Sequence, residues 1–217
     1  MSRKARAMPR DHQFAPMAER VAALNTRYDH HGATAVLEHA LRDRDVGRVA
    51  LVSSFGAESV VLLHLLSVIS PHTPVLFIDT QMLFAETLAY QQELAQKLYL
   101  TDIRRLSPSP ASLAMGDPDG TLHQYDTDAC CALRKTDVLE AALSGFDAWI
   151  TGRKRYQSGT RADVEFFEAD GDARLKINPL AHWGRDDLEE YMINNRLPRH
   201  PLVAQGYPSI GCAPCTS

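Results

Sequence analysis

The 217-residue sequence predicts an α/β fold, a mostly parallel twisted sheet with helices on both faces, and three observations carry that reading. Short strand-like runs recur at Arg48–Val52, which is rich in β-branched residues, at Pro74–Ile78, at Thr101–Leu106 and at Asp147–Thr151. Stretches with apolar residues at helical spacing lie between them, which is the alternation a parallel sheet requires. After the fourth run the pattern changes, because Val164–Glu168 and Arg174–Ile177 flank Ala169-Asp170-Gly171-Asp172, an Asp-Gly turn that marks a C-terminal hairpin at the sheet's edge.

The elements follow in order. Residues 1–16 read as a flexible tail punctuated by Pro9 and Pro16. Met17 to about Arg27 and Ala33 to about Arg42 form two packing helices, with Val21, Leu24, Val36, Leu37, Ala40 and Leu41 as their apolar faces. His30-His31-Gly32 breaks them and reads as a solvated turn. The first strand runs into a polar loop and then the apolar helix Val60–Ile69. A helix from about Leu83 to Leu98 follows the second strand, and one from about Asp128 to Leu143 leads to the fourth. Asp186 and Asp187 suit the N-terminus of a last helix, about Arg185 to Asn195, because carboxylates are favoured at the positive end of the helix dipole. Arg196–Ser217, rich in Pro and Gly, reads as a loop.

Composition narrows the function. Hydrophobic residues make up 45% and charged residues 23%, and no apolar stretch approaches the roughly 20 residues of a membrane helix. Arg3, Lys4, Arg6 and Arg10 are not followed by an apolar region, so no secretory signal is read and a cytoplasmic protein is expected. A net charge of −4 offers no broad field for a nucleic-acid backbone, so an anionic partner needs a local basic cradle. One domain over 17–217 is the simplest organisation, and assembly into homo-oligomers is compatible with it.

All four cysteines fall in two tight pairs, Cys130-Cys131 and Cys212-Ala213-Pro214-Cys215. Adjacent cysteines rarely bridge each other, and a reducing cytoplasm opposes disulfides, although bridges between the pairs remain geometrically open. Paired thiolates with a Cys-x-x-Cys half have ligand-like spacing, so a metal centre that ties the C-terminus to the body is favoured.

Three polar stretches sit where ligands collect in open α/β sheets, at the carboxyl ends of the strands. Ser53-Ser54-Phe55-Gly56-Ala57-Glu58-Ser59 leads into a helix N-terminus and offers hydroxyl and N–H groups to an anion; it lacks the Gly-Lys-Ser/Thr ending of a Walker A loop. Ile78-Asp79-Thr80 ends a buried strand with a carboxylate that serves either a helix cap or a ligand. Gly152-Arg153-Lys154-Arg155-Tyr156-Gln157-Ser158-Gly159-Thr160-Arg161 sets four cations directly after the fourth strand, a density suited to an oxyanion clamp because guanidinium groups offer planar, multiple donors. Together they predict a nucleotide-like polyanion.

These residues carry a resemblance. Leu51–Ser59 resembles the pyrophosphate-loop variant of the sulfonucleotide reductases, Phe77-Ile78-Asp79-Thr80 their Leu-Asp-Thr strand end, and Thr151–Arg161 their arginine loop; Lys176-Ile177-Asn178-Pro179-Leu180 with Trp183 fits as well. The likeness covers about residues 35–217 and implies a PP-loop-type, adenine nucleotide alpha hydrolase-like fold. Cys130-Cys131-Ala132-Leu133-Arg134-Lys135 together with Cys212-x-x-Cys215 resembles the branch that reduces adenosine 5′-phosphosulfate (APS) and carries a [4Fe–4S] cluster. The resemblance makes Cys130, Cys131, Cys212 and Cys215 the cluster ligands, with zinc as the alternative, and places Lys135 near both cluster and substrate. It implies that Ser53, Ser54, Phe55, Gly56, Ala57, Glu58 and Ser59 with Gly152, Arg153, Arg155, Gln157, Ser158 and Arg161 cradle the phosphosulfate, while Ile78, Asp79 and Thr80 offer backbone to the adenine edge. It implies attack of a cysteine thiolate on the sulfur of APS and release of sulfite by thioredoxin or glutaredoxin.

The family's nucleophile lies in a C-terminal Glu-Cys-Gly-Leu/Ile-His segment that these 217 residues do not contain, and all four cysteines match cluster positions. The chain is therefore read as one lacking its catalytic tail. The alternatives are a reductase of the 3′-phosphorylated substrate, a non-catalytic cluster-bearing protein that binds an adenylyl nucleotide, and an ATP pyrophosphatase-type thiolation enzyme, whose more regular Ser-Gly-Gly-x-Asp-Ser loop this sequence departs from.

Overall fold

The computed structural model describes residues 14–157 and 159–216. Most of the expected tail, residues 1–13, and Ser158 lie outside the described residues. Helices α1 (Met17–Tyr28) and α2 (Ala33–Ala40) precede strand β1 (Val49–Ser53), and then α3 (Ser59–Ile69), β2 (Val75–Ile78), α4 (Ala85–Lys97) and β3 (Ile103–Leu106) alternate. Short helices α5 (Pro110–Gly116), α6 (Leu122–Tyr125) and α7 (Thr127–Cys131) lead through a π-helical turn, Ala132–Thr136, into α8 (Asp137–Leu143). Strands β4 (Ala148–Ile150), β5 (Phe167–Asp170) and β6 (Arg174–Ile177) and helix α9 (Arg185–Asn194) complete the regular elements.

The six strands form one sheet in the order β3-β2-β1-β4-β6-β5, parallel except where β5 turns back antiparallel on β6. The expected hairpin is there, with Phe167 opposite Ile177 and Asp170 opposite Arg174, and β5 is the sheet's edge. Chain order reverses between β1 and β4, so the loops that leave these neighbouring strands diverge and open a crevice at their carboxyl ends.

Strand periodicity sorts the core into two unequal halves. Leu51, Val75, Phe77, Ile150, Leu175 and Ile177 point into a large cluster completed by α1 to α4 and α9. Ala50 and Leu76 point the other way, into a smaller cluster with Leu143, Leu139 and Trp149 under α8. Both faces are covered, which is why β1 and β2 read as near-continuous apolar runs instead of alternating ones. Residue 14 is not free: the Arg20 guanidinium lies 3.8 Å over the Phe14 ring, and Arg20 also donates to the Val46 carbonyl at 2.9 Å.

The single helix expected from Asp128 to Leu143 differs in one respect. The π-helical turn adds one residue per turn where the apolar pattern predicts a regular α-helix, and it follows directly on the cysteine pair. The expected C-terminal loop contains two 3₁₀ turns, Pro201–Gln205 and Ala213–Cys215.

Candidate functional site

A cavity of about 430 Å³ opens at the carboxyl ends of β1 and β4, within the size range of small-ligand sites. Its floor is the β1–α3 loop. Phe55 holds the left-handed conformation, with φ of 53°, rarely adopted by a side chain of that size. The ring is fully buried and meets Phe77 edge-on at 5.1 Å, and the Phe55 N–H donates to Ser53 Oγ at 3.1 Å. Burial of the ring thus fixes a turn that sets Ser54, Gly56 and Ala57 along the cavity. Ser59 Oγ donates to the Gly56 carbonyl at 2.7 Å and closes the loop onto α3.

The opposite wall is the loop after β4. Asn178, fully buried, fastens it: Thr151 Oγ1 donates to Asn178 Oδ1 at 2.6 Å, and Asn178 Nδ2 donates to the Glu165 carbonyl and to Glu168. From that anchor the chain turns Gly152, Lys154, Tyr156, Gln157 and Arg161 toward the cavity. Glu58 bridges the two walls, accepting from Lys154 Nζ at 2.8 Å, Tyr156 OH at 2.7 Å and Gln157 Nε2 at 3.3 Å. Burial alone would raise the Glu58 carboxyl, but the Lys154 and Tyr156 hydrogen bonds outweigh it and hold it below its ordinary range. Burial pushes the Lys154 ammonium down, with Glu58 opposing the shift.

Arg153 and Arg155 do not line the cavity. Arg153 lies 3.7 Å from Glu168, and Arg155 donates to the Val164 carbonyl at 2.8 Å and pairs with Glu165 at 2.9 Å, so both hold the loop from behind. Arg185, at the start of α9, takes up a place in the wall instead, its guanidinium 5.5 Å over the Tyr156 ring. Leu180, and Pro208 to Ile210 from the C-terminal segment, complete the rim.

The second site lies at the end of β2. Asp79, buried, accepts from Arg105 Nε at 2.7 Å and from the Gln81 N–H at 2.9 Å, which makes it a fixture of the strand end and not part of the cavity lining. Ile78 and Thr80 are buried in the same turn. Thr80 Oγ1 is 3.1 Å from Cys212 Sγ, Leu83 forms a β-bridge with Cys212, and the Ala213 N–H donates to the Met82 carbonyl at 2.7 Å. The Cys212–Thr216 turn is thereby held against the β2–α4 loop, while Cys130 and Cys131 approach from α7.

Burial pushes the Cys130 thiol up, nearby Arg134 draws it down, and Cys131 and Cys212 are close enough to add to the rise. Cys215, one 3₁₀ turn on, donates its N–H to the Cys212 carbonyl at 3.0 Å. Among the described residues no three His, Cys, Asp or Glu side chains are gathered to hold a metal ion as they stand. The donor set still fits an iron–sulfur group in its chemistry: Cys130 and Cys212, from distant segments, lie near each other, each has a second cysteine close by in the chain, and the Arg134 guanidinium is beside them. Arg134 is buried and bidentate, donating to Asp117 Oδ2 from Nε at 3.1 Å and Nη2 at 2.5 Å, and to the Thr80 carbonyl from Nη1 at 3.1 Å. Lys135 is exposed on the π-helical turn and does not line the cavity.

Residues 48–217 match the phosphoadenosine phosphosulfate reductase domain family. The chain belongs to that family. The adenosine 5′-phosphosulfate reductase of Mesorhizobium japonicum is 47% identical over 200 residues, a match covering 92% of this chain and 78% of that one. The enzyme of the same name from Chelativorans is 46% identical over 194 residues, covering 89% and 79%. Among solved structures, a phosphoadenylyl-sulfate reductase from Candida auris in a phosphate complex aligns with a TM-score of 0.79 at 24% identity, over 94% of this chain and 100% of that one. FMN adenylyltransferase from Candida glabrata shares the fold more distantly, with a TM-score of 0.60 at 16% identity, over 91% and 73%.

In this phosphoadenosine phosphosulfate reductase domain the two sites are joined by one segment. Pro208 to Ile210 rim the cavity, and Cys212 follows two residues later in the thiol site. The contact is close: a Cβ on Gly56 would come within 3.0 Å of the Ile210 carbonyl oxygen. Sequence reasoning missed Arg185 and this rim, since a helix-start arginine and a Pro/Gly-rich loop carry no local sign of the cavity they reach.

Proposed function

We propose that this chain is the nucleotide-binding, cluster-bearing body of a cytoplasmic reductase that converts adenosine 5′-phosphosulfate to sulfite and AMP in sulfate assimilation, with electrons from thioredoxin or glutaredoxin. The observation that carries the reading is the cavity of cations and loop N–H groups that shares its rim with the thiol site. Relatives named adenosine 5′-phosphosulfate reductase, at 35–47% identity, support a sulfonucleotide reductase, an oxidoreductase acting on sulfur.

In this reading the phosphosulfate faces Lys154, Arg161 and Arg185, and the Ser54–Ser59 turn offers N–H groups at the start of α3. These groups orient the anhydride and stabilise the charge that grows on the departing phosphate. A cysteine thiolate supplied from outside these 217 residues attacks the sulfur. A sulfur–sulfur bond forms as the bond from sulfur to the phosphate oxygen breaks, and AMP leaves with the electron pair. A reduced thioredoxin thiolate then attacks the cysteine sulfur, sulfite leaves with the next pair, and the second thioredoxin thiol resolves the mixed disulfide. Cys130, Cys131, Cys212 and Cys215 would hold a [4Fe–4S] cluster, which when bound supplies a fixed local charge and a tie between the C-terminal segment and the body. Arg134 and Lys135 set positive charge beside it.

Sulfite release from APS with reduced thioredoxin, measured on the chain with and without an added family-type C-terminal segment, tests the proposal. Turnover restored by the segment supports it. Nucleotide binding without turnover after the segment is added supports a binding module instead.

A further inference from the structure

A carboxylate is an odd lining for a cavity that takes an anion, and Glu58 is one. It accepts from Lys154 Nζ at 2.8 Å, and Lys154 is only 2% exposed, so Glu58 and not solvent neutralises that charge. Two cations remain in the lining with no carboxylate within ion-pair distance among the described residues. Arg161 donates to the neutral Gln157 Oε1 at 2.6 Å, and Arg185 rests over the Tyr156 ring. The described charged side chains that line the cavity are thus three cations and one carboxylate, a net charge of plus two. Arg153 and Arg155 add nothing to it, spent on Glu168 and Glu165 behind the loop.

An adenylyl phosphosulfate carries two negative charges, one on each half of the anhydride. A 3′-phosphate adds nearly two more at neutral pH. We infer that Glu58 sets the nucleotide class of this cavity, balancing it for an adenylyl anion of two negative charges and disfavouring one that carries a further 3′-phosphate. The inference rests on the reading of the cavity as an adenylyl-nucleotide site. Were Glu58 only a strut between the two loops, its loss would weaken all nucleotides alike.

Calorimetric titration of the whole, anaerobically purified chain with AMP and with adenosine 3′,5′-bisphosphate separates these cases. Wild type prefers AMP. Glu58→Gln keeps the size of the side chain and one of its two acceptor oxygens but removes the charge, and moves the ratio of the two affinities toward the bisphosphate by roughly tenfold, the effect of one charge on a dianion about 10 Å away through partly solvated protein. Glu58→Asp keeps the wild-type preference. An equal change for both nucleotides in Glu58→Gln, or a wild-type preference for the bisphosphate, overturns the inference. Should Glu58→Gln not fold, salt decides on wild type alone: a charge-based preference shrinks from low to high ionic strength, and a preference that stays constant is steric and refutes the role of Glu58. Wild type that binds neither nucleotide refutes the adenylyl reading itself, an outcome distinct from an unchanged ratio.

Discussion

Phe55 holds a left-handed backbone in the β1–α3 loop, and the whole of its ring is buried against Phe77. The cost of that conformation, about 1–2 kcal/mol, is offset by the burial of the ring. Phe55→Ala keeps the strain and loses the ring, so it should lower stability by about 3–5 kcal/mol in denaturant titration and weaken AMP binding as the loop loosens. Arg161 sits differently, on the cavity wall with Gln157 as its neighbour. Arg161→Ala should weaken AMP binding by roughly ten- to a hundredfold, the range of a charge-assisted hydrogen bond, and leave iron content unchanged. A basic loop advertises its charge in the sequence but not its orientation. Arg153, Lys154 and Arg155 are consecutive cations, and only the 3₁₀ turn and the Asn178 anchor decide that Lys154 faces inward while its neighbours pair with Glu168 and Glu165.

At the scale of elements, the inner strands β1, β2 and β4 were legible because burial on both faces leaves an apolar run, and the hairpin because Asp170-Gly171 marks its turn. The π-helical turn at Ala132–Thr136 was not, since the helical pieces on either side, Thr127–Cys131 and Asp137–Leu143, are too short to show the shift of the apolar face that one inserted residue causes. That turn brings Arg134 inward onto Asp117, which joins α5 to the thiol site. The Arg134 hydrogen bonds hold the Asp117 carboxyl below its ordinary range. A depressed carboxylate contributes stability that is fully present above the unfolded value, near 3.9, and is lost as pH falls through the lower folded value. Thermal melts should therefore show an acid limb that begins below about pH 4. Asp117→Asn should melt lower at neutral pH and show a shallower limb; an unchanged limb would assign the acid response to other carboxylates.

Across the whole molecule, the chain reversal between β1 and β4 opens the cavity, and the Pro208–Thr216 segment runs from its rim to the thiol site. Cys131→Ser should lose iron absorbance and, because Cys212 and Ile210 are two residues apart, weaken AMP binding as well. Gly56→Ala, pressed against the Ile210 carbonyl, should weaken AMP binding with iron retained. The most direct test of the account is equilibrium titration of AMP into anaerobically purified wild-type and Arg161→Ala protein, with the iron–sulfur absorbance recorded on the same samples. The account predicts the absorbance in both and an affinity at least about tenfold lower in the variant. Wild-type protein without iron, or equal affinities in the two, would contradict it.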